Sequence, residues 1–178
     1  DQRALLSAAV FHTAKDNART TDPVTGDTIL DGDQTVRGFE LGLSGQITDQ
    51  WKITSAYTYL DSEIKESAVA GEVGNSLSNT PEHSLSIWNV VQFTDDLQAG
   101  LGATFVGDRQ GNNANDSDRV AESYWLWDAM VGYRVNDTLS LQLNVNNLFD
   151  ERYISRVGGG HSIPGEGRSA VLSARFEF

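Results

Sequence analysis

Apolar and polar residues alternate along most of the chain, and the alternation is cleanest near its C-terminal end. From Thr138 to Phe149, leucine, valine and phenylalanine fall on one set of alternate positions, and serine, glutamine and asparagine fall between them. A period of two predicts a β-strand with one apolar and one polar face. Five further segments show the same period, at about 39–47, 51–59, 97–105, 125–133 and 170–178.

Two more strands are predicted from weaker patterns. Leu85 to Phe93 alternates less regularly, because Trp88 and Val90 fall on the otherwise polar side. Leu5 to Ala14 is apolar on both sides, so its pattern does not predict which residues share a face. Together the segments predict eight strands of roughly ten or more residues, which is long for a globular sheet and typical of tilted strands that cross a membrane.

The connections between the predicted strands alternate in length. Three of them are predicted to be tight two-residue turns, at Asp49-Gln50, Asp95-Asp96 and Asn136-Asp137. The others are long polar links, at about 16–33, 65–79, 110–121 and 153–164. This order places every long loop at one end of the strands, as in outer-membrane barrels with short periplasmic turns and long outer loops.

Aromatic residues cluster at two heights along these strands. Near the short turns lie Trp51, Phe93, Tyr133, Phe176 and Phe178. Near the long loops lie Phe39, Tyr57, Tyr59, Phe105, Trp125, Trp127 and Phe149. The strand from Trp51 to Tyr57 or Tyr59 spans roughly 20–26 Å at ~3.3 Å per residue. After tilting, that length projects to slightly less than the ~25 Å apolar band of a membrane barrel, so we predict two aromatic girdles.

Composition limits the possible functions of the chain more than it limits the possible folds. The 178 residues carry a net charge of −12 and no cysteine. The acidic balance argues against a nucleic-acid partner, and the absence of cysteine excludes disulfides, thiolate zinc sites and cysteine nucleophiles. A mean hydropathy of −0.36 suggests a soluble domain at first sight. A membrane barrel gives a similar average, because its polar lumen and loops offset its lipid face.

Several motifs follow one another in an order that resembles a known family. Val36-Arg37-Gly38-Phe39-Glu40 precedes Trp51 and Tyr57-Thr58-Tyr59, and Asn79-Thr80-Pro81-Glu82-His83 precedes the next strand. The segment 146–153 contains an N-L-F-D-x-x-Y pattern. Its signature positions are Asn147, Leu148, Phe149, Asp150 and Tyr153, together with the terminal aromatic Phe178. These residues resemble the TonB-dependent outer-membrane receptors. The stretch 158–168 is most similar to the catecholate-type ferric-siderophore receptors.

The resemblance implies an all-β, antiparallel, up-and-down transmembrane β-barrel of about 22 strands closed by an N-terminal plug. Residues 1–178 have room for about eight strands and no plug, so we expect the C-terminal part of such a barrel, in the bacterial outer membrane. We expect the plug and the N-terminal strands to belong to a longer protein, or else a leader to have been removed before Asp1. The implied function is TonB-energised uptake of a ferric siderophore.

The long loops would meet such a ligand first. Ferric catecholates are anionic, so a binding wall needs cations and aromatic rings. The candidate ligand-binding residues are Arg109, Arg119, Arg152, Arg156 and His161. The alternative for these arginines is pairing with lipopolysaccharide phosphates or with loop acids. The other implied partners are outer-membrane lipid, the TonB complex through the N-terminal part, and the barrel-assembly machinery through Phe178.

No catalytic, cofactor or metal site is predicted. His12, His83 and His161 lie far apart in sequence, and no G-x-S-x-G or phosphate-loop motif is present. Asp31-Gly32-Asp33 lacks the further ligands of a calcium loop, so we expect 16–33 to be a solvated acidic loop. Iron is expected only as cargo, carried by the siderophore.

Two alternative interpretations remain open from the sequence. The first is a complete, self-closing eight-stranded outer-membrane barrel of structural or adhesive type, which the length fits. The second is a soluble acidic β-sandwich. Periodicity alone does not distinguish the first alternative from a receptor fragment, and only the family motifs oppose it.

Overall fold

One antiparallel sheet dominates the computed structural model, which describes residues 3–158 and 161–177. Eight long strands follow one another in chain order, each paired with the next long strand along the chain. They are β1 (Ala4–Thr21), β2 (Thr28–Gln46), β3 (Trp51–Glu66), β4 (His83–Gln92), β5 (Leu97–Val106), β8 (Tyr124–Arg134), β9 (Leu139–Asn146) and β12 (Ser169–Phe176). The predicted all-β, up-and-down architecture of eight long strands is confirmed.

Four short strands form two small hairpins in the long connections. They are β6 (Arg109–Gln110) paired with β7 (Val120–Ala121), and β10 (Ile154–Gly158) paired with β11 (His161–Pro164). A 3₁₀ turn covers Ala70–Glu72 in the connection after β3. Among the described residues, no helix has the length and apolar character needed to cross a bilayer.

The two faces of the sheet have different chemistry, as the alternation predicted. Phe39 is paired with Tyr59 across β2 and β3, and Phe105 with Trp125 across β5 and β8. Ring centroids lie 5.5 Å apart in the first pair and 5.0 Å apart in the second. We call the side that carries these rings the aromatic face. The outer girdle therefore contains two groups of contacting rings near the long-loop end of this face.

Strand β1, whose orientation the pattern left open, is oriented by its pairing with β2. Leu6, Ala8 and Val10 lie opposite Leu43, Leu41 and Phe39. Since directly paired residues share a face of the sheet, these three side chains lie on the aromatic face.

The irregular pattern in β4 has a packing explanation. Trp88 lies opposite Gly102, and a Cβ atom on the nearby Gly100 would lie 2.9 Å from the Trp88 Cζ2 atom. The indole therefore occupies space that side chains at these two glycines would otherwise take, on the face opposite the aromatic one. Met130 reaches the same place, since its Cε atom would lie 3.4 Å from that Cβ atom. Trp88 therefore fits on a face where the alternation predicts polar residues, because its ring packs over two glycines.

The three short turns have the same hydrogen-bond pattern, and four residues separate the strands in each. Backbone bonds join Thr48 to Trp51 and Thr94 to Leu97, which flank two of the predicted two-residue turns, and Asn136 to Leu139, one residue later than predicted. The turns cover 47–50, 93–96 and 135–138. The side-chain oxygens of Thr48, Thr94 and Asn136 each accept hydrogen bonds from the backbone N–H groups two and three residues further on. These side-chain bonds stabilise the turns by giving acceptors to backbone N–H groups that the strand ladder does not pair.

The prediction of a loop over 16–33 is wrong for most of that range. Strands β1 and β2 continue their ladder to the pair formed by Thr21 and Thr28, so only 22–27 connect them. A bulge near 15–19 interrupts the pairing. Polar side chains do not prevent strand pairing where both faces of a hairpin are wet, and this is why alternation did not reveal the extension.

The sheet is open within the described residues. Strands β1 and β12 lie at its two edges, and no ladder joins them to each other in the described part of the chain. A complete eight-stranded barrel would pair its first and last strands. This geometry favours a segment of a larger barrel over the self-closing alternative.

Candidate ligand-binding site

Three of the long connections pack against one another at the loop end of the sheet. Asn79, in the connection before β4, joins the other two. Its backbone N–H donates to the carbonyl of Gln110 at 2.7 Å, and its Oδ1 atom accepts from the N–H of Val157 at 3.3 Å. Asn79 has a φ of +54°, a left-handed conformation that asparagine tolerates better than most residues. The β6–β7 and β10–β11 hairpins are therefore held to the same residue.

Arg109 lies inside this loop assembly, with only 5% of its surface exposed. Its Nη1 atom donates to the carbonyl of Ser155 at 2.7 Å, and its Nη2 atom donates to the carbonyl of Ile154. The guanidinium carbon lies 5.6 Å from the ring centroid of Tyr124. Arg109 is thus engaged by protein groups, and its charge is not presented directly to the solvent side of the loops.

Arg156 and His161 come together on the β10–β11 hairpin. Both are exposed, and both line a cavity of about 530 Å³ that Ser78, Asn79 and Ile163 also border. This grouping brings Arg156, on β10, and His161, on β11, to one concave surface. It is the arrangement closest to the predicted anion-binding wall.

Arg152 borders a second cavity of about 570 Å³, beside Tyr124 and Tyr153. Arg119 lies apart from both cavities, at the far end of the β6–β7 hairpin, where its Nε atom is 4.0 Å from Asp116 Oδ2. The five predicted residues are therefore distributed over a buried position, two separate cavities and an exposed ion pair. Whether any of them contacts ligand stays a prediction.

The family signature residues close the loop between β9 and β12. Asn147 is 5% exposed, and its amide Nδ2 atom donates to the carbonyls of Glu151 at 2.9 Å and Glu166 at 3.0 Å. Its Oδ1 atom accepts from the N–H of Glu151 at 2.8 Å. Asp150 accepts from the N–H of Arg168 at 2.9 Å. These bonds join the start of the loop to its end, and we call Asn147, Asp150 and Tyr153 the loop clasp.

Tyr153 completes the clasp through its ring. The ring occupies the space in which a side chain at position 165 would lie, which explains the glycine there. Its centroid lies 4.4 Å from that of Tyr124, and Tyr124 also contacts Arg109. Arg109, the ring of Tyr124 and the ring of Tyr153 therefore form a continuous series of contacts. Phe178, the last signature position, lies outside the described residues.

Leu148 and Phe149 attach the same segment to the sheet. The N–H of Leu148 donates to the carbonyl of Trp127 at 2.6 Å. The ring of Phe149 meets that of Trp127 edge-on, with 6.3 Å between centroids. The signature thus combines a polar clasp with one aromatic contact in the outer girdle.

Sequence reasoning missed Asn79, Tyr124 and Asp128 as organisers of this region. Asp128 Oδ1 accepts from the N–H of Asn147 at 2.8 Å, and so connects β8 to the clasp. The available signal for Asp128 was that it is the single acidic residue within β8. Within residues 3–158 and 161–177, no group of three or more histidine, aspartate or glutamate side chains is arranged to hold a metal ion.

Comparison with known proteins identifies the family. The family described as "TonB dependent receptor-like, beta-barrel" matches residues 1–148, which is most of the chain. The chain belongs to this family. Membership places it in the outer membrane, with the aromatic face toward lipid and the opposite face toward the lumen.

The receptor chain is similar over its whole length to siderophore receptors. It is 39% identical to the probable TonB-dependent siderophore receptor PiuA of Acinetobacter baumannii, covering 100% of this chain and 25% of the relative. It is 37% identical to the catecholate siderophore receptor Fiu of Escherichia coli K12, covering 100% of this chain and 24% of the relative. The chain thus spans about a quarter of the length of these curated relatives.

Solved structures agree with these relatives. The crystal structure of PiuA from Acinetobacter baumannii superposes with a TM-score of 0.88 at 37% identity, covering 98% of this chain and 26% of that chain. The closed form of Fiu from Escherichia coli K12, described as a ferric-catecholate import receptor, gives a TM-score of 0.83 at 37% identity. It covers 100% of this chain and 26% of that chain. The predicted family and barrel fold are confirmed.

Proposed function

We propose that residues 1–178 form the C-terminal part of the barrel of a receptor that imports ferric siderophores across the outer membrane with energy relayed through TonB. The observation that carries this proposal is the similarity of the entire chain to PiuA and Fiu at 39% and 37% identity. Coverage of only 25% and 24% of those relatives agrees with a longer receptor, and in this proposal its remainder holds the plug and the N-terminal strands. The open edges at β1 and β12 agree with this arrangement.

The ligand in this proposal is an anionic ferric catecholate, and Fe(III) is cargo rather than a resident cofactor. Arg156 and His161 would meet it at one cavity and Arg152 at the other, while Arg119 would meet it from the β6–β7 hairpin, outside both cavities. Guanidinium groups suit this task, since they donate several hydrogen bonds to phenolate or carboxylate oxygens and stack on aromatic rings. The chain performs no bond-making step in this account.

The remaining partners in the proposal follow from the family. TonB would contact the N-terminal part of the receptor, and the assembly machinery would bind the C-terminal strand that ends at Phe178. Outer-membrane lipid and lipopolysaccharide would surround the aromatic face, whose outer girdle contains Phe39, Tyr59 and Trp125. No nucleic-acid partner belongs to this function.

Replacing Arg152 and Arg156 by alanine in the full-length receptor tests the proposed ligand contacts. We expect the dissociation constant for the iron(III) complex of 2,3-dihydroxybenzoate to rise about tenfold or more, because two charge-assisted hydrogen bonds are removed. Binding is measured by tryptophan fluorescence quenching, and import by uptake of ⁵⁵Fe into cells that contain the variant.

The matched control is Arg3→Ala, which removes an arginine at the opposite end of the sheet, where Arg3 pairs with Asp49 at 2.9 Å. The control should bind and import like the unmodified receptor. Unchanged affinity in the double variant would exclude Arg152 and Arg156 as ligand contacts. Failure of the unmodified receptor to bind any ferric catecholate would contradict the proposed cargo.

A further inference from the structure

Arg109 makes contacts that differ in kind from those of the exposed arginines. It is almost completely buried, and its two Nη atoms hold the carbonyls of consecutive residues, Ile154 and Ser155. Lysine would not reproduce this fork, because an ammonium group lacks two parallel donors in a rigid plane. The contact fixes both the position and the orientation of the β10 backbone.

The charge of Arg109 is not neutralised by an acid within the described residues. No salt bridge involves it in that part of the chain, and its buried Nε atom has no hydrogen-bond partner there. Its remaining neighbour is the ring of Tyr124. Keeping a guanidinium group in such a place is unfavourable unless its hydrogen bonds to carbonyls are well made. Lysine would keep the buried charge without the fork, and an aliphatic residue would leave the carbonyls of Ile154 and Ser155 without these donors.

The two clamped carbonyls lie between the exposed arginines of the proposed ligand wall. Arg152 is two residues before Ile154, and Arg156 is one residue after Ser155. Val157, which follows, is buried and held by Asn79, and a Cβ atom on Gly111 would lie only 3.0 Å from its Cγ2 atom. The backbone that carries Arg156 is thus fixed on both sides of that residue by partners from other loops.

We infer that Arg109 is a positioning residue that sets the affinity for anionic ligand by fixing the β10 backbone and, through it, the guanidinium groups of Arg152 and Arg156. This inference rests on the proposed function, and it assigns Arg109 a role without ligand contact. It also explains why a cation that the sequence placed among the candidate ligand residues is buried. The substrate class remains an anionic iron chelate.

The inference is tested with Arg109→Lys and Arg109→Met in the full-length receptor. Both should raise the dissociation constant for the iron(III) complex of 2,3-dihydroxybenzoate by about tenfold, since each removes the fork. If Arg109 contributed only its positive charge, Arg109→Lys would keep that charge and the dissociation constant would not change. Arg109→Gln, which retains polar donors, takes the place of Arg109→Met if that variant fails to assemble. Arg3→Lys is the control and should bind normally.

A double-mutant cycle separates positioning from general stabilisation. In the background of Arg152→Ala with Arg156→Ala, Arg109→Lys should change the dissociation constant by less than about twofold, because the side chains it positions are absent. An effect as large as in the unmodified receptor would overturn the inference. A role in overall stability alone would give such additive losses.

A measurement without ligand distinguishes failure of this inference from failure of the proposed function. Amide hydrogen exchange at 154–157 should become faster in Arg109→Lys than in the unmodified receptor, while exchange in β4 and β5 should not change. Unchanged exchange at 154–157 would overturn the inference whatever the ligand. Faster exchange in a receptor that binds no ferric catecholate would support the positioning role of Arg109 and reject the proposed cargo.

Discussion

At the scale of single residues, the loop clasp gives the family signature a physical meaning. Asn147 uses its amide to bind the backbone of Glu151 and Glu166, so one buried side chain joins both ends of a long connection. Asp150 adds a bond to the backbone of Arg168. The residues of the N-L-F-D-x-x-Y pattern therefore hold together the ends of the connection that carries Arg156 and His161.

Asn147→Ala is expected to loosen the connection between β9 and β12. Removing the amide leaves buried backbone groups without partners, which costs roughly 1–3 kcal/mol. Hydrogen exchange should become faster at Glu151 and across 150–168. Limited proteolysis of the full-length receptor should cleave this loop sooner than in the unmodified protein.

The neighbouring Asn146 supplies the control for this substitution. It is exposed, and its amide makes one long hydrogen bond, 3.3 Å, to Ser169. Asn146→Ala should leave both exchange and proteolysis unchanged. Equal effects of the two substitutions would contradict the structural role assigned to Asn147.

At the scale of elements, the short turns are the most regular feature of the chain. Thr48, Thr94 and Asn136 occupy the same position in three turns and accept the same pair of backbone N–H groups. Threonine and asparagine both present an oxygen at the required distance from the backbone. Equivalent turns therefore arise from different residues with the same hydrogen-bonding chemistry.

Thr94→Ala should destabilise the β4–β5 hairpin, whereas Thr94→Asn should not. Alanine leaves the N–H groups of Asp96 and Leu97 without their side-chain acceptor, at a cost of about 0.5–1.5 kcal/mol. Asparagine reproduces the chemistry of Asn136. The unfolding midpoint of the full-length receptor in urea, measured in lipid vesicles, should fall only in the alanine variant, and an equal fall in both would show that the acceptor is unimportant.

At the scale of the whole molecule, the separation of β1 from β12 is the feature that distinguishes a segment of a receptor barrel from a self-closing eight-stranded barrel. The two strands are the edges of the described sheet, and each exposes a row of unpaired backbone groups. In a receptor barrel, other strands pair with both edges. In a small self-closing barrel, the two edges would pair with each other.

Cysteine cross-linking distinguishes these arrangements, because the chain itself contains no cysteine. Ala8→Cys on β1 and Leu172→Cys on β12 place two thiols on the aromatic face of the edge strands. We expect no disulfide between them in the full-length receptor, since paired strands lie about 4.8 Å apart and intervening strands would separate these two much further. Migration on a non-reducing gel measures the outcome.

Leu143→Cys combined with Leu172→Cys is the matched control. These positions are direct partners across β9 and β12, and oxidation should join them. Efficient cross-linking of Ala8→Cys with Leu172→Cys would instead support the self-closing eight-stranded barrel.

The sequence by itself determined the strands, the two faces and the aromatic girdles. A period of two is a local property of extended backbone, so alternation from Leu139 to Val145 already separates lipid-facing from lumen-facing residues. It could not orient β1, because that strand is apolar on both sides, and it did not reveal the polar ladder up to the pair of Thr21 and Thr28. Both features depend on the hydrogen-bonded pairing of β1 with β2.

Only the tertiary structure decided where the candidate cations lie. Arg109 reaches a carbonyl 46 residues away, and Asn79 reaches an N–H group 78 residues away. Such contacts depend on how the loops pack at the end of the sheet, and no local pattern encodes that packing. For this reason five positive or titratable side chains looked equivalent in sequence, while the fold buries Arg109 and leaves Arg152 and Arg156 exposed at separate cavities.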